Sequence, residues 1–131
     1  MNNSKRIFSL QDANRRLPLV RKIVGDILRK GKEFRQIVQA AQGKEVSAQV
    51  LNLKAEIEGL IAELEDLGCY YKDWNFEIGL VDFPSIIDGK EVLLCYRSDE
   101  QEITWYHSLD SGFAGRLPIP HKLLADHKSM D

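Results

Sequence analysis

Between Leu17 and Ala41 the apolar positions fall at Leu17, Val20, Val24, Ile27, Gly31, Phe34, Val38 and Ala41, alternating steps of three and four. A second series, Val50, Leu53, Ile57, Leu60, Leu64 and Leu67, repeats the rhythm after the polar stretch Gln42–Glu45. Steps of three and four keep side chains on one face of an α-helix. Two such stripes joined by a few polar residues predict a long antiparallel helical hairpin over 18–67, coiled-coil-like, with arms of roughly 35 Å at 1.5 Å per residue. Gly68 stands where helices commonly end in a left-handed residue. Ahead of the hairpin, Ser9 is placed to cap a short helix, with Asp12 three positions on. Pro18 then separates that helix from the long one, because proline is tolerated in a first turn but not further in. Gly31 is the weak seat of the seam and marks either a close approach of the partner helix or a bend. Ile23, Leu28, Ile37, Leu51 and Ile61 lie off the seam and ask for a second covering surface.

Beyond Gly68 the period changes to two. Cys69–Lys72 and Gly79–Phe83 read as strands, the second closed by Pro84. The run 91–97 alternates, and so does 102–108, with Ser98–Gln101 turning the chain between them. Asp88-Gly89 is a strong two-residue turn signal. The fold class expected is therefore α+β in one domain over 1–131. It comprises a helical part at 7–67, a small antiparallel β-sheet part at 69–118 and a tail at 119–131 with little to bury.

Charge sharpens the hairpin. The segment 10–41 carries eight basic residues against Asp12, Asp26 and Glu33, whereas 46–67 carries five acids against Lys54. A basic arm beside an acidic arm is self-neutralising, and no aromatics interleave the basic residues. With a net charge of −2, a nucleic-acid partner is not expected. Apolar runs such as 92–96 are too short to cross a bilayer, and the first residues lack a secretory signal's apolar core, so no membrane role and a cytoplasmic address are expected. Two cysteines, Cys69 and Cys95, far apart in sequence and in no metal-ligand spacing, read as small buried hydrophobes.

Candidate chemistry gathers after the last strand, in YHSLDSGFAGR. Gly112 and Gly115 permit a turn whose N–H groups would face an anion, Arg116 adds a forked donor, and Asp110, His107 and Arg97 stand nearby. The plain alternative is a turn in which Asp110 caps N–H groups and Arg116 pairs with it. Asp82, an acid in an otherwise apolar strand, needs a partner, and Arg97 or Arg116 is the expected one for a structural ion pair. A metal centre built on His107, Asp110 and Asp82 lacks the remaining ligands, so no metal and no cofactor are expected. Ser108 and Ser111 lack a nucleophile elbow, and Cys95 sits within a strand, a poor setting for a thiolate.

Three stretches in order, FSLQDANRRLPLV, GLVDFPSIIDGKEVLLCYR and ITWYHSLDSGFAGRLP, are similar to those of a prokaryotic family, domain of unknown function 2203, over about residues 7 to 118. The resemblance implies a cytoplasmic bacterial protein with helices followed by a sheet. It implies no activity, cofactor or catalytic residue. The residues themselves favour a non-enzymatic interaction or scaffold module acting through its hairpin, as a homodimer. The competing reading is a binder of, or an enzyme acting on, a small anionic ligand at the Gly112–Arg116 loop.

Overall fold

The computed structural model describes residues 6–45 and 47–124. Helix α1 (Leu10–Arg15) begins at Ser9, whose hydroxyl accepts the Asp12 N–H at 3.0 Å. Arg16 ends it, and α2 (Leu17–Ala41) restarts with proline in its first turn. Both Gln42 and Gly43 adopt positive φ in the connection to α3 (Ala48–Leu67), and Gly68 closes α3 in the left-handed region at φ 97°. Lys30 meets Glu56, and Gln49 meets Glu33 at 3.4 Å, so the arms run in opposite directions. Much of the seam is buried, from Leu17, Val20, Val24 and Ile27 on one arm to Val50, Leu53, Ile57 and Leu64 on the other. It opens toward the connection, where Val38 is 38% exposed.

Five strands follow: β1 (Tyr70–Tyr71), β2 (Leu80–Ile87), β3 (Lys90–Arg97), β4 (Trp105–Ser108) and β5 (Leu117–Pro118). They form one antiparallel meander in chain order. The β2–β3 turn is made by Asp88 at φ 52° and Gly89 at φ 78°, both left-handed, as a tight turn compatible with strand twist requires. That turn sets the register, which pairs Asp82 with Cys95 and Val81 with Tyr96. Strand β2 does not stop at Pro84, as expected from sequence, but runs three residues further. The Pro84 carbonyl points away from β3 and accepts the Phe8 N–H at 2.7 Å. A residue's N–H and C=O leave an antiparallel strand on the same side, so the missing proline N–H costs no bond to β3.

Alternation then gives the sheet two faces. Val81, Phe83, Leu94 and Tyr96 face the helices and join one core with Phe8, Val20, Val24, Ile27 and Leu64. Phe8 meets Phe83 edge to face at 5.3 Å. Polar contacts register the layers: Arg21 Nε donates to the Tyr96 hydroxyl at 3.1 Å, and the Ile103 N–H donates to Asn14 Oδ1 at 2.8 Å. Gly79 allows Val24 to reach the sheet, since a Cβ there would lie 2.2 Å from Val24 Cγ1. The room that Gly31 leaves is taken by the Phe76 ring. A Cβ on the glycine would lie 2.4 Å from Phe76 Cγ, so the loop after β1 seats its ring there.

The covering surface sought by the off-seam residues is supplied largely within the chain. Ile23 is buried in the core, and Leu28 and Ile61 pack against it, while Leu51 is left 59% exposed. At the other end of the chain, Ile119 is buried, its N–H bonded to the Thr104 carbonyl at 2.9 Å, and Leu123 and Leu124 pack on the core. The remainder of the tail, 125–131, lies outside the described residues. No helix among those described is long and apolar enough to cross a membrane.

Candidate functional site on the outer face of the sheet

The face of the sheet turned away from the helices carries Asp82 on β2, Cys95 on β3 and Trp105 and His107 on β4. Asp82 and Cys95 are direct cross-strand partners, as are Cys95 and Trp105. His107 stands opposite Leu93, two residues from Cys95 on the same side. All three chemical side chains are buried: Asp82 is 4%, Cys95 1% and His107 2% exposed. One ligand-capable atom from each lies within 4.8 Å of the others.

The hydrogen bonds place a proton on Nδ1 of the imidazole. His107 Nδ1 lies 2.7 Å from the Ser108 carbonyl oxygen, which only accepts, so Nδ1 carries a proton. Nε2 therefore faces Asp82 Oδ1, at 3.1 Å, either as the second proton of an imidazolium or as the acceptor of a proton from a neutral carboxyl. Burial raises the Asp82 pKa above the ordinary carboxylate value, and His107, Lys72 and Arg116 oppose that rise. The Cys95 thiol is pushed up to about 12, first by burial and then by the nearby Asp82 charge. As an isolated group it is a thiol, not a nucleophile.

The residues expected at an anion site are placed differently. Arg116 lies across the rings of Trp105 and Phe113, its guanidinium carbon 4.8 and 5.0 Å from their centroids. Its Nη2 donates to the Cys95 carbonyl at 3.1 Å and to Glu100 Oε1 at 3.0 Å, and the side chain is only 11% exposed. Arg97 Nε is bonded to Asp99 Oδ1 at 2.6 Å, and its backbone N–H to Glu100 Oε1 at 2.8 Å. Asp82 therefore pairs with His107, while the two arginines expected to meet it pair within the Ser98–Gln101 turn. Arg116 still lies near enough for its charge to act on Asp82. Asp110 is exposed and stands apart from the Asp82–Cys95–His107 group.

The glycines have local reasons. Gly112, at φ 64°, precedes a 3₁₀ turn over Phe113–Gly115, and a Cβ on Gly115 would lie 2.7 Å from Ser111 Cβ. The Gly115 and Arg116 N–H groups are consumed by the carbonyls of Gly112 and Phe113, both at 3.1 Å. Those two donors bond within the loop.

Cys95 is the member that residue-type reasoning left out. Its signal was nonetheless present: a two-residue Asp88-Gly89 turn pairs positions whose numbers sum to that of the turn residues, which sets Cys95 opposite Asp82.

These features define an α+β protein with a two-layer helix-on-sheet core and a buried polar cluster on the opposite sheet face. The chain belongs to the family described as "Uncharacterized conserved protein (DUF2203)", whose model matches residues 6–119. Neither a curated protein nor a solved structure matches it.

Proposed function

We propose that this single-domain chain is a protein-interaction module of the bacterial cytoplasm, working as a homodimer joined through one flank of its coiled-coil-like hairpin. The observation that carries this reading is Trp74. It is 62% exposed beside a cleft of about 200 Å³ lined by Phe34, Ile57, Ile61 and Phe76. Tryptophan is enriched among interface hot spots, and an apolar groove beside it offers a seat for a partner's apolar side chain. Lys54 and Glu58 also line the cleft, one helical turn apart on α3. A two-fold axis through such a pair sets each lysine against the other copy's glutamate, so the groove is electrostatically complementary to itself. Binding of a small anion at the Gly112–Arg116 loop is the lesser reading, because it requires Arg116 to leave Glu100 and the Cys95 carbonyl.

Sedimentation velocity from sub-micromolar to high-micromolar concentrations tests the proposal. The native chain is expected to pass from monomer to dimer, with Trp74→Asp weakening association at least thirtyfold, the equivalent of a hot spot of about 2 kcal/mol. A native monomer across the whole range refutes it.

A further inference from the structure

The outer face of the sheet presents three different donor atoms from three adjacent strands: a carboxylate oxygen of Asp82, the Cys95 sulfur and His107 Nε2. We propose that this cluster is a binding site for a transition-metal dication of the zinc class, with Asp82, Cys95 and His107 as its protein ligands. Four observations support it, each from geometry. The three atoms converge within 4.8 Å, although the residues are separated by up to 25 positions in sequence. The Nδ1–H of His107 is tied to a backbone carbonyl, the arrangement by which proteins fix the tautomer and ring orientation of a metal-ligating histidine and leave Nε2 as the ligand. The Cys95 sulfur makes no hydrogen bond among the described residues, so its lone pairs are uncommitted beside the other two donors. All three side chains are buried, which shields the three donor atoms from bulk water.

The donor set also selects the ion. One sulfur, one imidazole nitrogen and one carboxylate oxygen suit Zn²⁺ or Co²⁺ and are foreign to Mg²⁺ and Ca²⁺, which take oxygen ligands. Deprotonated Asp82 and Cys95 carry two negative charges, which a dication neutralises, so the bound cluster has no net charge to bury. The thiol proton leaves to solvent as the sulfur–metal bond forms. A proton held between Asp82 and His107 leaves with it. Three protein ligands leave one tetrahedral position for water or a small anion.

Without a metal the same residues form a buried Asp–His pair that serves only the fold, and the experiment separates the two cases. The chelator-stripped protein is titrated with Co²⁺ and followed by absorption, with circular dichroism reporting the fold. The expected result is one ion per chain, ligand-field bands in the visible and a thiolate-to-cobalt charge-transfer band in the near ultraviolet. Cys95→Ser, nearly isosteric, is expected to lose the charge-transfer band and bind at least tenfold more weakly, while Cys69→Ser keeps both. If Cys95→Ser fails to fold, calorimetry of the native chain in buffers of different ionisation enthalpy decides. Ion binding is expected to release about two protons, one from the thiol and one from the Asp82–His107 pair. A folded native chain without the charge-transfer band, or a band that survives Cys95→Ser, or binding without proton release, overturns the proposal.

Discussion

The two faces of the same strands make opposite use of neighbouring residues. Val81 and Phe83 flank Asp82 and point into the helices, and Leu94 and Tyr96 do the same on either side of Cys95. The inner face is held by apolar burial, roughly 1.5–3 kcal/mol for each large side chain, and it is forgiving of shape-preserving change. The outer face buries groups that prefer water, so its cohesion depends on each partner being present. The lesson is that burial alone does not rank these positions. His107 is as buried as the core leucines, yet what it needs is a partner atom rather than a filled volume.

That contrast is broken most forcefully from the outer face. His107→Leu leaves Asp82 buried without its partner and is expected to cost about 3–5 kcal/mol in denaturant unfolding. Adding Asp82→Leu is expected to restore most of the loss, since two apolar residues need no pairing. Next in size, Gly79→Ala forces a methyl toward Val24 Cγ1 and is expected to cost about 1–3 kcal/mol, read as a lowered midpoint with unchanged slope. On the inner face Leu94→Met keeps volume and is expected to cost less than about 1.5 kcal/mol in the same measurement.

A further effect appears only at alkaline pH. Cys69, beneath the C-terminal end of α3, donates its thiol to the Leu64 carbonyl at 3.4 Å, and burial pushes its pKa from 9.0 up to about 12. The folded chain thus keeps a proton that the unfolded chain gives up. Stability from this thiol is whole below pH 9 and declines as pH rises from 9 toward 12. Replacing Cys69 by alanine is expected to make that part of the stability–pH curve shallower, as followed by thermal melts, with the share from Cys95 remaining.

The helical half was legible because its information is local. Steps of three and four name most of the buried residues from Leu17 to Ile27 and from Val50 to Leu64, Ile23 excepted, without reference to anything distant, and Ser9, Pro18 and Gly68 mark the boundaries. The meander was legible through Asp88-Gly89. What escaped depends on contacts across the fold. Pro84 reads as a strand end until Phe8 is seen to occupy the edge beside it. Gly31 reads as a helix contact until Phe76, forty-five residues on, fills the space. Arg97 and Arg116 were matched to Asp82 by charge alone, whereas Asp99 and Glu100 in the adjoining turn are their nearer partners. Cys95 is as buried as a small hydrophobe should be, but that Asp82 and His107 share its face follows only from the cross-strand register set by the Asp88-Gly89 turn and the β3–β4 pairing.

Both the buried pair and the three-donor cluster depend on how the outer-face imidazole is held, and nitrogen NMR of His107 tests this most directly. Nδ1 is expected to resonate as a protonated nitrogen, its proton coupled to the Ser108 carbonyl. An unprotonated Nδ1 with the proton on Nε2 alone contradicts the arrangement, and with it both the buried pair and the three-ligand cluster built on it.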